Sequence, residues 1–116
     1  MPLRCLIVDD NLRFLEAASA LLEQEGLKVV GVATSSDTAL AQAAALRPQV
    51  VLVDIDLGGE SGFELARALD SLDDSNVILI STHSEADFAE LIAGSAAVGF
   101  ISKSELSATT VRALAT

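Results

Sequence analysis

The sequence is poor in cysteine and in basic side chains. Its single cysteine, Cys5, excludes an internal disulfide and a zinc site built from cysteines. Lysine and arginine number 7 against 17 aspartates and glutamates, which gives a formal net charge of −10. Because the phosphates of nucleic acids are bound by lysine and arginine, this balance argues against direct binding of nucleic acid.

Long apolar runs and a secretory signal are also missing. No apolar stretch approaches the length of a membrane span, and the first residues lack the pattern of a signal peptide. We therefore expect no membrane insertion and a cytoplasmic location. What the sequence does have is a hydrophobic content of 51% in 116 residues, which suits a single domain over residues 1–116 with one buried core.

Short apolar runs alternate with segments of helical periodicity along the whole chain. Strands are predicted at residues 4–8, 28–33, 50–53, 77–80 and 99–102. Helices are predicted at residues 12–25, 37–46, 62–72, 85–94 and 108–115, with a polar turn at 73–76. Five successive strand–helix units predict an α/β fold, a doubly wound five-stranded parallel sheet with right-handed crossovers.

Cap residues support these helix boundaries. Gly26 stands where a left-handed residue would end the first helix. Ser36 is the predicted N-cap of the second helix and Ser107 that of the last.

Polar side chains follow four of the predicted strands. Asp9 and Asp10 follow the first strand, Asp54 follows the third, Ser81 the fourth and Lys103 the fifth. In open parallel sheets the ligand site lies beyond the carboxyl ends of the strands. We therefore expect these side chains to meet at one edge of the sheet.

The clustered carboxylates indicate a metal site. Carboxylates held close together repel one another, and a hard divalent cation such as Mg²⁺ relieves that repulsion. Because Mg²⁺ takes few protein oxygens, Asp9, Asp10 and Asp54 suffice. The alternative is that the acids after the first strand simply cap the first helix, and capping and metal binding can coexist.

The remaining groups are typical of phosphoryl chemistry. A carboxylate can attack phosphorus to give an acyl phosphate, and Lys103 and Ser81 could then stabilise the charge on the phosphoryl oxygens. Ser81 could instead be a helix N-cap, with Thr82 and Ser84 as rival hydroxyls. His83, the single histidine, is either a neighbour of the site or an exposed bystander.

The ordered set of residues resembles the receiver domain of response regulators in two-component signalling, over essentially all 116 residues. The resemblance implies a flavodoxin-like (βα)5 fold and a phosphoryl group carried on Asp54. It implies that Asp9 and Asp10 bind the metal, Mg²⁺, and that the backbone carbonyl of Asp56 completes its shell. It also implies that Lys103 contacts the phosphoryl group and that Ser81 and Phe100 form the switch.

The resemblance further implies partners. A sensor histidine kinase or a histidine phosphotransfer protein would supply the phosphoryl group, and a downstream effector protein or domain would read it. The chain would be a monomer or a phosphorylation-dependent homodimer, and it would catalyse only its own phosphorylation and dephosphorylation. Four positions depart from the family pattern: Gly58 and Ser104, where proline is common, Ser61, where aspartate is usual, and Thr82, where alanine is frequent.

Two other functions compete with this interpretation. Asp54 and Asp56 after an apolar strand also resemble haloacid-dehalogenase-type phosphatases, in which Asp56 would be the general acid. That family needs acids for Mg²⁺ after the lysine, and here the single acid beyond Lys103 is Glu105. The second competitor is a receiver-like interaction module that binds a partner without being phosphorylated.

Overall fold

The computed structural model describes residues 2–72 and 75–115, so positions 73 and 74 of the predicted polar turn lie outside the described residues. The strands are β1 (Arg4–Val8), β2 (Lys28–Ala33), β3 (Val50–Asp54), β4 (Asn76–Ser81) and β5 (Gly99–Ser102). The helices are α1 (Leu12–Gln24), α2 (Ser36–Leu46), α3 (Gly62–Asp70), α4 (Ala89–Ala93) and α5 (Ala108–Ala115). Short 3₁₀ turns at Glu85–Phe88 and Lys103–Glu105 precede α4 and α5.

The five strands form one parallel sheet in the order β2-β1-β3-β4-β5. This arrangement confirms the predicted α/β fold. β1, β3 and β4 occupy the centre and are apolar on both faces, as expected for strands covered by helices on each side. No described helix combines the length and the apolar character that crossing a bilayer requires.

Alternate residues of each central strand enter two separate hydrophobic clusters. On one face, Leu52 packs with residues of α1 and α5 such as Leu22 and Val111. On the other face, Val53 packs with residues of α2 and α3 such as Leu65. Cys5 is a buried core residue of the first cluster, and burial raises the pKa of its thiol to about 12.

The ends of the first two helices show how local sequence sets the boundaries. After α1, Gly26 has φ +99° and donates to the Glu23 carbonyl, while Leu27 donates to Leu22. This pair of bonds is the left-handed cap predicted for Gly26. At α2 the predicted N-cap is wrong by one residue, because Ser35 is extended and its hydroxyl accepts from the Thr38 N–H, whereas Ser36 is already helical.

The fourth helix differs most from its prediction. A continuous helix over residues 85–94 is wrong: a 3₁₀ turn, closed by an Asp87 N–H to Ser84 carbonyl bond, leads into a helix of five residues. None of the five described residues of α4 is buried. Helical periodicity alone does not stabilise so short a segment in water, and the half-buried Ile92 gives α4 little packing on the core, so the helix stays short.

β3 and β4 run one residue further than predicted at their carboxyl ends, to Asp54 and Ser81. Both residues still pair with the neighbouring strand, Asp54 opposite Ile80 and Ser81 opposite Ser102. The two polar side chains are therefore carried by the sheet itself rather than by the loops that follow.

Candidate functional site

Three polar or charged side chains are buried in the part of the chain that the structure describes, and all three lie at the carboxyl edge of the sheet. They are Asp9 (0% exposed), Asp54 (7%) and Ser81 (5%). β1, β3, β4 and β5 are consecutive neighbours in the sheet, so the residues that end or follow them converge. We call Asp9, Asp10, Asp54 and Lys103 the acid pocket.

Lys103 connects two of the acids. Its Nζ lies 2.6 Å from Asp9 Oδ2 and 3.1 Å from Asp54 Oδ2. The contact with Asp54 is a hydrogen bond, whereas the one with Asp9 is an ion pair, because its geometry gives Oδ2 no directed hydrogen bond among the described residues. Burial lowers the pKa of Lys103, but the close contacts with the Asp9 and Asp54 carboxylates outweigh burial, so the net effect is a raised pKa and a charged ammonium.

Opposing effects act on the pKa of Asp54. Its Oδ1 accepts from the Asp56 N–H at 3.2 Å. Burial raises the pKa of Asp54 to about 6 and the charge of Asp9 adds to this, although Lys103 and the Asp56 N–H oppose it. The ionised pocket therefore gains from further positive charge.

The carboxylates fit a divalent cation. Asp9, Asp10 and Asp54 each offer an oxygen within 4.8 Å of the others, and this trio was predicted from the strand ends. Asp9 Oδ2 meets the Lys103 ammonium at 2.6 Å but has no directed hydrogen bond, so this buried oxygen can still take part in binding a metal ion. Oxygen donors in this number match a hard ion that retains several waters.

Gly58 shapes the exposed side of this trio. It has φ +67°, and a Cβ at this position would lie 2.6 Å from Asp10 Oδ2. Proline, with φ fixed near −65°, could not adopt this backbone. The departure from the family pattern at Gly58 therefore leaves room for the Asp10 carboxylate.

The side chain of Asp56 points away from the trio. Its carboxylate is exposed and accepts from the Gly58 N–H at 3.1 Å, while its own N–H donates to Asp54. The predicted contribution of Asp56 to a metal shell is its backbone carbonyl. Its carboxylate instead accepts a hydrogen bond within the turn that follows β3.

The loop after β3 is closed against the end of the strand. Gly62 donates to the Ile55 carbonyl at 2.8 Å, and a Cβ on Gly62 would overlap the Asp54 carbonyl oxygen. Ser61, in the place of the usual aspartate, caps α3 by accepting from the N–H groups of Phe63 and Glu64. The backbone of Asp54 is therefore packed directly against the first residue of α3.

Ser81 is at the same edge, but its hydroxyl is engaged by its own loop. Oγ accepts from the His83 N–H at 3.0 Å and lies 3.5 Å from His83 Nδ1. The His83 ring meets Phe88 edge-on at 5.8 Å between centroids. Of the three candidate hydroxyls, Thr82 and Ser84 are exposed and Ser81 is buried, so burial favours the predicted choice.

Phe100 is half-buried on β5, paired with Leu79 of β4. It packs on the cluster that also holds Phe88 and Ile92, and it lines a groove of about 310 Å³ beside α5 with Leu114 and others. The predicted switch residue thus lies between the core and an open groove.

No sequence motif singles out Phe14. The Lys103 ammonium lies 4.2 Å from the centroid of its ring. An aromatic residue in the first turns of α1 has no motif that marks it for this contact, because the contact depends on where β5 ends in space.

Comparison with known proteins identifies the relatives of this chain. Residues 5–115 match the family model described as the response regulator receiver domain. The response regulator GacA of Pseudomonas protegens is 33% identical over 103 residues, which are 87% of this chain and 48% of GacA. The Escherichia coli K12 DNA-binding transcriptional activator EvgA is 26% identical over 104 residues, 89% of this chain and 51% of EvgA. The chain thus spans about half the length of these relatives.

Solved structures give the same result. The signal receiver domain of NarL from Mycobacterium tuberculosis superposes with a TM-score of 0.87 at 29% identity, over 98% of this chain and 96% of that one. A response regulator from Burkholderia pseudomallei, solved with a phosphorylated aspartic acid, a calcium ion and citrate, gives a TM-score of 0.84 at 25% identity, over 98% and 66%.

Proposed function

Since this chain belongs to the response regulator receiver family, we propose that Asp54 is the phosphoacceptor of this receiver domain. The observation that carries the proposal is the environment of its carboxylate. Asp54 ends a fully buried strand, and its Oδ2 lies 3.1 Å from the only ammonium group of the described acid pocket. A buried carboxylate beside a fixed cation is suited to attack an electrophile that brings negative charge.

The transfer needs little from the protein beyond position and charge. An oxygen of Asp54 attacks the phosphorus of a phosphohistidine, the P–N bond breaks, and the imidazole of the donor leaves with the electron pair and takes up a proton. Lys103, already within reach of that oxygen, pairs with an oxygen of the incoming phosphoryl group. The Asp56 N–H, which donates to Oδ1, keeps the carboxyl plane oriented.

The acid pocket would hold Mg²⁺ through Asp9, Asp10 and Asp54, with the backbone carbonyl of Asp56 completing the protein ligands. A bound Mg²⁺ neutralises charge on the phosphoryl oxygens. The Burkholderia pseudomallei response regulator, whose structure contains a phosphorylated aspartic acid and a calcium ion, supports this arrangement by analogy.

Ser81 and Phe100 would transmit the effect of phosphorylation from Asp54 to the surface beside β5. Ser81 Oγ accepts from the His83 N–H, so its own O–H remains a donor, and to reach a phosphoryl oxygen on Asp54 this hydroxyl must move toward that residue. Movement of this loop would open space next to β5 for the ring of Phe100, which lacks a hydroxyl and can be buried without a polar partner. Phosphorylation would then shift the populations of states that already exist.

The proposed donors are a sensor histidine kinase or a histidine phosphotransfer protein in the cytoplasm, and the proposed reader is an effector protein or domain. The protein would be a monomer or a homodimer that forms on phosphorylation, and it would act only on its own phosphoryl group. EvgA is described as DNA-binding, but a net charge of −10 gives this chain no attraction for DNA. The family match favours the receiver over the phosphatase.

The assignment of Asp54 is tested by labelling. The protein is incubated with Mg²⁺ and a small acyl phosphate, and intact mass is followed for the gain of one base-labile phosphoryl group. Asp54→Asn should abolish labelling, whereas the exposed neighbour Asp56→Asn should retain it. Full labelling of Asp54→Asn would refute the assignment, and an unlabelled wild type would favour the phosphorylation-independent module.

The metal ligands are tested by calorimetric titration with Mg²⁺. Asp10→Ala should weaken binding and, by relieving carboxylate repulsion, stabilise the metal-free protein. Asp56→Ala is the matched control, since it removes an exposed carboxylate and leaves the backbone carbonyl. Unchanged affinity in Asp10→Ala, or a loss in Asp56→Ala as large as that in Asp10→Ala, contradicts the proposed ligand set.

A further inference from the structure

Phe14 is the third residue of α1 and contacts the acid pocket through Lys103. The Lys103 ammonium sits 4.2 Å from its ring centroid, and the Lys103 side chain is 14% exposed. The ring is half-buried and packs on the core cluster between the sheet, α1 and α5. An ammonium is attracted to the face of an aromatic ring, and more strongly when water is excluded.

Phe14 is held in register with the acids by a closed series of contacts. Asp9 Oδ1 accepts from the Asn11 N–H at 2.8 Å, and Asn11 Oδ1 accepts from the Phe14 N–H at 3.2 Å. The ring then contacts Lys103, whose Nζ returns to Asp9 Oδ2 at 2.6 Å. The N-cap of α1 thus fixes the ring and the first acid of the pocket to each other.

We propose that Phe14 is a positioning residue that holds the Lys103 ammonium over the acid pocket for phosphoryl transfer. The inference rests on the proposed function of Asp54. It extends that function to a residue on α1 that acts through its contact with Lys103.

The need for such a residue follows from the chemistry of lysine. Its ammonium is a point charge on a flexible stem of four carbons, with three donors that can turn freely. Two directions are taken by Asp9 and Asp54, and the ring covers a further side that water would otherwise solvate. When a phosphoryl oxygen replaces a carboxylate as partner, the attraction of the ring does not depend on one hydrogen-bond direction, so the ammonium can turn without leaving the pocket.

Removing the ring face should therefore slow phosphorylation without changing the fold. We expect Phe14→Leu, which keeps an apolar side chain against the core, to lower the rate of labelling by small acyl phosphate about fivefold, in line with a partly desolvated cation–π contact. Phe14→Tyr retains the ring face and should label at close to the wild-type rate. Far-UV circular dichroism checks that each variant is folded.

Lysine side-chain NMR tests in solution whether the end of the Lys103 side chain lies over the ring of Phe14. The chain has two lysines, and Lys28 at the exposed start of β2 is an internal reference for Lys103. In wild type the ε-CH₂ protons of Lys103 should be shifted upfield by the ring of Phe14. Phe14→Leu should bring them to the Lys28 value, and Phe14→Tyr should leave them upfield.

Each outcome decides the proposal. If wild type takes no phosphoryl group, the function proposed for Asp54 fails, whatever Phe14 does. If wild type is labelled and Phe14→Leu is labelled equally fast, the positioning role is wrong even if the ε-CH₂ shift moves. Equal slowing in Phe14→Tyr and Phe14→Leu would mean that packing, not the ring face, matters. If Phe14→Leu does not fold, Phe14→Met, also without a ring, takes its place.

Discussion

The third and fourth strand–helix units have the same order of elements, but their helices differ in how much of their surface is buried. β3 and β4 are both buried, and each ends in a polar residue at the carboxyl edge of the sheet. α3 then runs for nine residues and buries four of them, behind a serine N-cap. α4 runs for five described residues and buries none, and Ser84 provides no side-chain cap to the turn before it.

The connecting loops differ in the same sense. After β3, backbone bonds from Leu57 to Glu60 and from Gly62 to Ile55 close the loop onto the strand. After β4, the loop has the Ser81–His83 hydrogen bonds, a 3₁₀ turn and ring contacts of Phe88 with His83 and Phe63, but no backbone bond that the structure describes returns it to the strand. Segments with few buried contacts open at low free-energy cost, so the unit that carries Ser81 can rearrange while the one that carries Asp54 stays in place.

Alanine substitutions of Gly62, at the start of α3, and Gly94, at the end of α4, should give the largest difference in stability between the two units. Gly62→Ala would force a methyl group into the backbone of β3, 2.8 Å from Ile55 Cα, and should lower the free energy of unfolding by about 4 kcal/mol. Gly94→Ala, where the nearest atom would be 3.6 Å away, should change it by less than about 1 kcal/mol. Urea unfolding followed by circular dichroism measures both, since the chain has no tryptophan or tyrosine. Equal losses would show that the units are equally anchored.

Leucines on the two helices give the next largest contrast. Leu65 of α3 is 3% exposed, so Leu65→Ala should destabilise the protein by about 3 kcal/mol through lost burial and a cavity. Leu91 of α4 is 58% exposed, and Leu91→Ala should stay within about 0.5 kcal/mol. A costly Leu91→Ala in the isolated protein would mean that α4 is packed after all.

Substitutions of the polar residues that end β3 and β4, Asp54 and Ser81, should change the free energy of unfolding in opposite directions. The pKa of Asp54 is raised from 3.8 to about 6, so between these pH values the folded state binds more protons than the unfolded state and stability falls as pH rises. In Mg²⁺-free buffer at pH 7, Asp54→Asn should therefore raise the free energy of unfolding by about 2 kcal/mol. It should also remove the pH dependence in this window.

Ser81→Ala is the comparison for Asp54→Asn. It deletes an acceptor for the His83 N–H of an exposed loop and should lower stability by no more than about 1 kcal/mol, independently of pH. A wild-type protein whose stability rises between pH 4 and 6 would contradict the raised pKa of Asp54.

The helix caps give the smallest contrast. Ser61→Ala removes the acceptor for the N–H groups of Phe63 and Glu64 and should cost about 1 kcal/mol. Ser84→Ala removes a hydroxyl that makes no cap bond and should be close to neutral. Thermal unfolding of the two variants side by side measures this contrast. An equal fall in the melting temperature of both variants would show that the two serines do not differ in capping.

The difference between the two units also marks where prediction from sequence succeeded. The apolar runs of the central strands were predicted to within a residue at their carboxyl ends, because a strand buried on both faces must be apolar throughout. The extent of α4 was not predicted, because its helical spacing of apolar residues did not reveal that the sheet leaves it unburied. The N-cap of α2 was off by one, since two adjacent serines offer the same local signal.

The order of strands and helices follows from the side-chain pattern without the structure, as does the position of five polar residues at strand ends, Asp9, Asp10, Asp54, Ser81 and Lys103. Both follow because burial and strand polarity are local consequences of that pattern. Three contacts could be found only in the folded protein: Lys103 bridges Asp9 and Asp54, the Phe14 ring lies against the Lys103 ammonium, and Ser81 Oγ accepts from the His83 N–H. These depend on distances between segments far apart in the chain, or on how one loop turns, and no residue type encodes such distances by itself.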